Sequence, residues 1–209
     1  MLVLASSSPR RKELLTQAGF TFRAHASSIP EAHREGEDPI AFATRLAREK
    51  AEAVFTEFAV QNSENDPPLV LGADTVVVSP VKEILGKPKD ANDAARMLRL
   101  LAGATHSVIT GVAVVSPGNV ESAAEVTHVT MLTLSESEIA DYIATDEPID
   151  KAGAYAIQGR AARWIPRVHG CYFNVVGLPL SLASSMIEGT LRRLEKTAPV
   201  PETAAASSI

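Results

Sequence analysis

Cysteine occurs once in this sequence, as Cys171. That excludes an intramolecular disulfide and argues against a cysteine-based zinc site. Histidine is scarce too. The five residues include no HxxxH or similar metal-binding pair. No stretch approaches the roughly 18 apolar residues of a membrane span. The apolar start, Met1 to Ala5, meets Ser6 at once, and the basic residues follow it instead of preceding it. It is too short for a signal-peptide core, so the chain reads as cytosolic, with no membrane partner. An excess of cations is also missing. Twenty Lys and Arg face 25 Asp and Glu, for a net charge of −5. That argues against a nucleic acid polymer as partner, which needs a basic face, but not against a single nucleotide, for which a few local cations suffice.

What remains is an ordinary globular composition, 45% hydrophobic and 22% charged. With 209 residues the chain suits one domain, or one domain with a lobe, around a sizeable core. Met1–Ala5 reads as a short buried strand. Ser6–Gly19 reads as a loop and helix, with Ser8 as cap and Pro9 in the first helical position. Ser27–Pro39 is loop-like, Pro39–Phe58 helical, and Gln61–Pro68 a polar loop. Leu69–Ser79 is the strongest strand, with Val81–Leu85 returning as a hairpin. Asp90 caps a helix to Leu101. His106–Val115 and Glu125–Leu134 flank the turn Pro117-Gly118-Asn119 and read as a long hairpin. Ser135 with Glu138 three residues on is a capping box that opens a helix to Ala144. Asp146–Leu180 has no clear period, and Leu180–Lys196 is a closing helix. Helices alternate with strands but a hairpin interrupts them. This predicts an α/β fold with a mixed β-sheet and flanking helices.

Four places could carry chemistry. Ser6-Ser7-Ser8-Pro9-Arg10-Arg11-Lys12 crowds hydroxyls and cations at a helix start. Cations there oppose the helix dipole, and a bound anion would resolve the conflict. The plainer reading is a capped helix with solvated charges. Asp74 interrupts an apolar strand in Gly72-Ala73-Asp74-Thr75. A carboxylate in such a place needs a cation, a metal or several donors. It could be a metal ligand, a general base, or a strand-end Asp satisfied by backbone. In Gly86-Lys87-Pro88-Lys89, Lys87 and Lys89 would project to one side of an extended chain, as if a polyphosphate lay between them. An exposed basic turn is the alternative. Finally, Gly153 and Gly159 bracket Gln158, whose amide suits the edge of a uracil or thymine ring. A structural turn explains this spacing equally well. Together these features suggest a polyphosphate held by cations near a carboxylate.

Five segments, in order, resemble the Maf family. They are Ser6-x-Ser8-Pro9-Arg10-Arg11, Gly72-Ala73-Asp74-Thr75, Gly86-Lys87-Pro88-Lys89, Asp150 to Gly159, and Asn174-Val175-Val176-Gly177-Leu178-Pro179-Leu180. The resemblance runs from about residue 2 to about residue 195. It implies a single Maf-like domain over residues 1–196, related in fold to the inosine triphosphate pyrophosphatases, with 197–209 a disordered tail. It implies a nucleoside triphosphate pyrophosphatase, a divalent metal, usually Mg²⁺ with Mn²⁺ as a substitute, and often a homodimer. Ile157-Gln158-Gly159 resembles the branch acting on dTTP and UTP. A Ser-Glu-Gly type sequence is expected in the branch acting on 7-methyl-GTP. By the same carry-over Asp74 is the expected catalytic residue, and Glu31 and Asp74 the expected metal ligands. Ser8, Arg10, Arg11, Lys50, Thr75, Lys87, Lys89 and Gln158 are the expected substrate-binding residues. The family's association with septum formation supplies the rival reading, a non-enzymatic regulator that acts by binding a partner. Phosphate-binding features would also suit a nucleotidyltransferase.

Overall fold

The computed structural model describes residues 1–61 and 68–197. Seven strands form one mixed sheet: β1 (Leu2–Ala5), β2 (Arg23–His25), β3 (Leu69–Val78), β4 (Ile84–Leu85), β5 (Thr105–Ser116), β6 (Asn119–Thr130) and β7 (Arg167–His169). The strand order is β2-β1-β3-β5-β6-β7, with β4 also paired to β3. β1 lies parallel to β2 and β3, and every pairing beyond β3 is antiparallel. Among the described residues six helices accompany the sheet: α1 (Pro9–Gln17), α2 (Pro39–Gln61), α3 (Ala91–Leu101), α4 (Glu136–Ile143), α5 (Tyr172–Val176) and α6 (Leu180–Thr197). The expected α/β class with a mixed sheet is therefore observed.

Locally encoded features appear where the sequence puts them. Ser8 caps α1 with Pro9 in its first turn, Asp90 caps α3, and Ser135 and Glu138 form the capping box of α4. Long-range features differ from expectation. β6 begins at Asn119, not Glu125, so the hairpin closes through a two-residue Pro117–Gly118 turn. β2 and β7 were not foreseen. Each is three residues long and owes its conformation to pairing at the sheet's margins. The Val81–Leu85 return shrinks to the two residues of β4. The stretch without a clear period holds two 3-10 turns, Ala152–Ala154 and Arg160–Trp164, before β7 and α5. Gln61 ends α2 and Thr197 ends α6. The remainder of the expected 61–68 loop, apart from Pro68, and of the expected tail lies outside the described residues.

Two features of β3 set up the site. Alternate residues of the strand face opposite layers. Leu69, Leu71 and Ala73 join the core beneath α1 and α6, whereas Val70, Val76 and Val78 pack against α2. Asp74 shares the α2 side, and α2 comes unusually close there. A Cβ on Gly72 would stand 2.1 Å from the Ala47 carbonyl oxygen, and one on Gly111 2.3 Å from that of Ala43. Gly111 is the cross-strand partner of Asp74. The second feature is an interruption of the ladder. On the side of β3 away from β5, β1 pairs only with Leu69–Leu71 and β4 only with Val77–Val78. The interval 72–76 has no strand neighbour there among the described residues, and it contains Asp74 and Thr75.

Candidate active site

The interval opens onto a cavity of about 620 Å³. Ser8, Arg10, Arg11, Glu31, Lys50, Asp74, Thr75 and Lys87 all line it. Each arrives for a local reason. The close approach of α2 brings Lys50 to the strand, where its Nζ lies 2.6 Å from Asp74 Oδ1 and 2.5 Å from Glu31 Oε1. Glu31 sits in the loop before α2, and Arg45 of that helix pins the loop. Arg45 donates to both Glu37 carboxylate oxygens, at 2.6 and 2.7 Å, and to the Ala32 carbonyl at 3.0 Å. Its hydrogen bonds are the main reason that Glu37 is drawn down to about 2.

Arg11 fills the break in the ladder. Its Nη1 donates to the Ala73 carbonyl at 2.7 Å, its Nε to the Gly177 carbonyl at 2.8 Å, and its Nη2 to Thr75 Oγ1 at 3.0 Å. A side chain thus supplies a hydrogen bond to a strand that lacks a neighbour. The guanidinium suits this task, since it offers several donors in one rigid plane.

Electrostatics single out Asp74. Burial pushes its carboxyl above the ordinary aspartate value, and the nearby Glu31 adds to the rise. The charges of Lys50 and Arg11 and the Lys50 hydrogen bond offset this only in part. Asp74 Oδ2 has no hydrogen-bond partner among the described residues. Glu31 behaves oppositely. Partial burial pushes it up, but Lys50, Lys87 and Arg11 together hold it below the ordinary glutamate value. Two neighbouring carboxylates are thus driven apart in proton affinity, an arrangement typical of acid–base sites.

Two expected residues do not reach the cavity. Lys89 is exposed, and its backbone N–H is taken up by Asp93 at 3.1 Å as the chain turns into α3. Of the expected pair, Lys87 lines the cavity and Lys89 does not. Gln158 is exposed while its neighbours Ala156 and Ile157 are buried. Gly159 lies against the Glu147 carboxylate, 2.0 Å from where a Cβ would stand, and Glu147 also accepts from the Arg160 N–H at 3.0 Å. That glycine serves a structural turn.

Other residues line the cavity without having been foreseen. Asp150 and Lys151 do so as an ion pair. Their loop is tied beside Lys87 by the Gly153 N–H, which donates to the Gly86 carbonyl at 3.0 Å. Tyr155 also lines it, with its hydroxyl 2.8 Å from His106 Nε2. Burial lowers His106 to about 4, so that pair is a neutral part of the wall. Nothing local in the sequence marks Lys151 over Lys89, because the choice depends on how a distant loop docks.

The residues fit a divalent cation. Five cations (Arg10, Arg11, Lys50, Lys87, Lys151) and four carboxylates (Glu13, Glu31, Asp74, Asp150) line the cavity. A polyphosphate entering so nearly balanced a site needs further positive charge. Glu31 and Asp74 both reach Lys50 Nζ, so hard oxygen donors converge on one cationic point. Among the described residues no group of three or more His, Cys, Asp or Glu could hold a metal unaided. Two carboxylates completed by phosphate oxygens is a usual Mg²⁺ environment.

A family model described as Maf-like protein matches residues 1–190. The chain belongs to the Maf family. Similar proteins agree over most of the length of this Maf chain. A dTTP/UTP pyrophosphatase of Koribacter versatilis is 51% identical over 187 residues, covering 89% of this chain and 92% of its own. Proteins of the same description from Geobacillus sp. (strain WCH70) and Escherichia coli (strain K12) are 52% and 48% identical. Each covers 86% of this chain, and the match covers 92% and 87% of their own length. In this Maf protein each of the five segments that carry the family resemblance contributes residues to the cavity wall, although Lys89 and Gln158 do not line it.

Proposed function

We propose that this protein hydrolyses dTTP and UTP to the nucleoside monophosphate and pyrophosphate. The observation that carries the reading is Asp74: a buried carboxylate with raised proton affinity, between Lys50 and Arg11, on the wall of a cavity that five cations also line. The names of the relatives supply the substrate.

In the reaction a water oxygen forms a bond to the α-phosphorus, and the bond from that phosphorus to the bridging oxygen breaks. Pyrophosphate leaves with the electron pair. Asp74 takes the proton from the water. An ordinary aspartate, near pKa about 3.9, is a poor base at neutral pH, and burial corrects this in the useful direction. Arg10, Arg11, Lys50, Lys87 and Lys151 stabilise the charge that builds on the phosphoryl oxygens and the leaving group. Glu31 and Asp74 would hold Mg²⁺, which when bound supplies Lewis-acid polarisation and neutralises phosphate charge. Ser8 and the N-terminus of α1 offer an anion further donors.

Thr75 and Arg10, which line the cavity, are positions that the family resemblance associates with substrate choice. Gln158 enters from the chemistry of its amide and from the family resemblance, and Gln158→Ala with an unchanged UTP-to-GTP ratio would remove it. A cytoplasmic homodimer completes the reading. Among the described residues no helix is long and apolar enough to cross a membrane, and sedimentation tests the dimer. The rival regulator reading is not favoured, because it leaves the assembled charged cavity without a purpose.

The test is a product assay with Mg²⁺ on dTTP, UTP, CTP, ATP, GTP and 7-methyl-GTP, with Asp74→Ala as control. Monophosphate and pyrophosphate from dTTP and UTP, lost in the control, are expected. Diphosphate and phosphate would place the attack at another phosphorus, and no turnover at all would return the regulator reading.

A further inference from the structure

A buried chain of hydroxyls behind Thr75 has a fixed direction. Thr110 on β5 is the cross-strand partner of Thr75 and is wholly buried. A hydroxyl has one hydrogen to give. Thr110 gives its hydrogen to the Asn174 backbone carbonyl at 3.1 Å, and a carbonyl can only accept. Thr110 Oγ1 also lies 2.9 Å from Thr75 Oγ1. Its own hydrogen being spent, it accepts there, and Thr75 donates. The Thr75 oxygen in turn accepts from Arg11 Nη2 at 3.0 Å. Donation therefore runs one way, from Arg11 to Thr75 to Thr110 to Asn174.

The far end of this chain is anchored. Asn174 is fully buried on α5. Its Nδ2 donates to the Val108 carbonyl at 2.9 Å and to Thr127 Oγ1 at 3.0 Å, which fastens the helix to β5 and β6. Three residues further on, the Gly177 carbonyl accepts from Arg11 Nε at 2.8 Å. The 174–177 segment thus holds the guanidinium twice, directly through Gly177 and indirectly through two hydroxyls.

We propose that Thr110 and Asn174 are positioning residues, which orient the Thr75 hydroxyl and through it lock the Arg11 guanidinium beside Asp74. One consequence is chemical. With its hydrogen committed, Thr75 offers a ligand only an acceptor, so an ionised phosphate oxygen is not its partner. A buried network of this kind fixes geometry as well as stability, and Asn174 Oδ1 is its one buried atom without a hydrogen-bond partner among the described residues.

The kinetic consequence rests on the proposed hydrolysis; the structural one does not. Thr110→Val removes the hydroxyl and keeps the shape, whereas Thr110→Ser keeps the hydroxyl. Nitrogen-15 NMR of the Arg11 Nε–H reads the lock without turnover. A slowly exchanging signal is expected in the wild type and Thr110→Ser, and a broadened or fast-exchanging one in Thr110→Val. With UTP, Thr110→Val is expected to lower kcat about tenfold and leave KM within about twofold, because the loss falls on orientation for the transition state. Thr110→Ser should restore kcat. Should Thr110→Val fail to fold, Thr75→Val breaks the same chain one step earlier and should give the same broadened signal. Where both fold, the double variant should be no worse than either single one. A wild-type Nε–H signal in Thr110→Val, or equal losses in Thr110→Val and Thr110→Ser, would overturn the proposal. An inactive wild type with the expected NMR pattern would sink the hydrolysis reading alone.

Discussion

Replacing Gly72 by alanine should damage both the fold and the chemistry, by an amount that the structure sets. The added Cβ would stand 2.1 Å from the Ala47 carbonyl oxygen and 2.9 Å from the Ala51 Cβ. The first neighbour is helix backbone and cannot swing aside. To reach even the inner edge of normal contact, α2 must retreat by roughly 1 Å. Overpacking of this kind costs about 3 kcal/mol where the neighbour is rigid. For a domain of this size that corresponds to a fall in Tm of about 6–12 °C. The same retreat draws Lys50 away from Asp74, now 2.6 Å apart. A displacement of about 1 Å in a positioned group can cost about 100-fold in rate. Thermal unfolding followed by circular dichroism, together with pyrophosphate release from UTP, would measure both effects. A Gly72→Ala protein with wild-type Tm and kcat/KM would show that α2 does not set the geometry of the site.

Further outcomes follow from the same geometry. Asp74→Asn should lower kcat by about 10²–10⁴-fold without lowering Tm. Asp74 has a raised folded pKa, so its ionisation costs stability as pH rises from the unfolded value through the folded one, and the amide escapes that cost; a fall in Tm at pH 7 would contradict this. Lys151→Ala should raise the KM for UTP several-fold, whereas Lys89→Ala should leave it within about twofold; the reverse ranking would restore the pairing expected from sequence. Glu37 has a depressed folded pKa of about 2, so its link to Arg45 stabilises above the unfolded value of about 4.3. The Tm advantage of the wild type over Glu37→Gln should be present at pH 6 and fade as pH falls towards 2; an advantage independent of pH would rule out the ion pair as its source.

Sequence reasoning succeeded where the cause is local. The caps at Ser8, Asp90 and Ser135 follow from neighbouring backbone groups, and Asp74 stood out because a carboxylate in an apolar strand demands partners. It reaches less far where the cause is docking. Lys87 and Lys89 are two residues apart, yet the second wall cation is Lys151, brought in by a loop more than sixty residues later. The Gln158 amide has a chemistry suited to a base edge, but its exposure beside the buried Ala156 and Ile157 depends on how the loop docks. β2 and β7 have no signal of their own, being extended only because a neighbour pairs with them. Thr110 did leave a trace. A hydroxyl within the otherwise apolar stretch of β5 must find a partner, and that partner can mark a site.

The break in the ladder beside β3 has a consequence for what variation the chain can accept. Arg11 completes a strand with the same guanidinium that lies beside Asp74, the carboxylate proposed to react. At this position a folded but inactive variant should therefore be hard to obtain, because whatever removes the charge also strips the Ala73 carbonyl of its donor. Even lysine could not replace it, as one ammonium cannot reach Ala73, Gly177 and Thr75 in a single plane. Arg10, one residue away and paired among the described residues with the exposed Glu13, carries no such double duty. Libraries randomised at the two positions should look different: graded activities in folded proteins at 10, and at 11 a cliff where solubility and turnover disappear together.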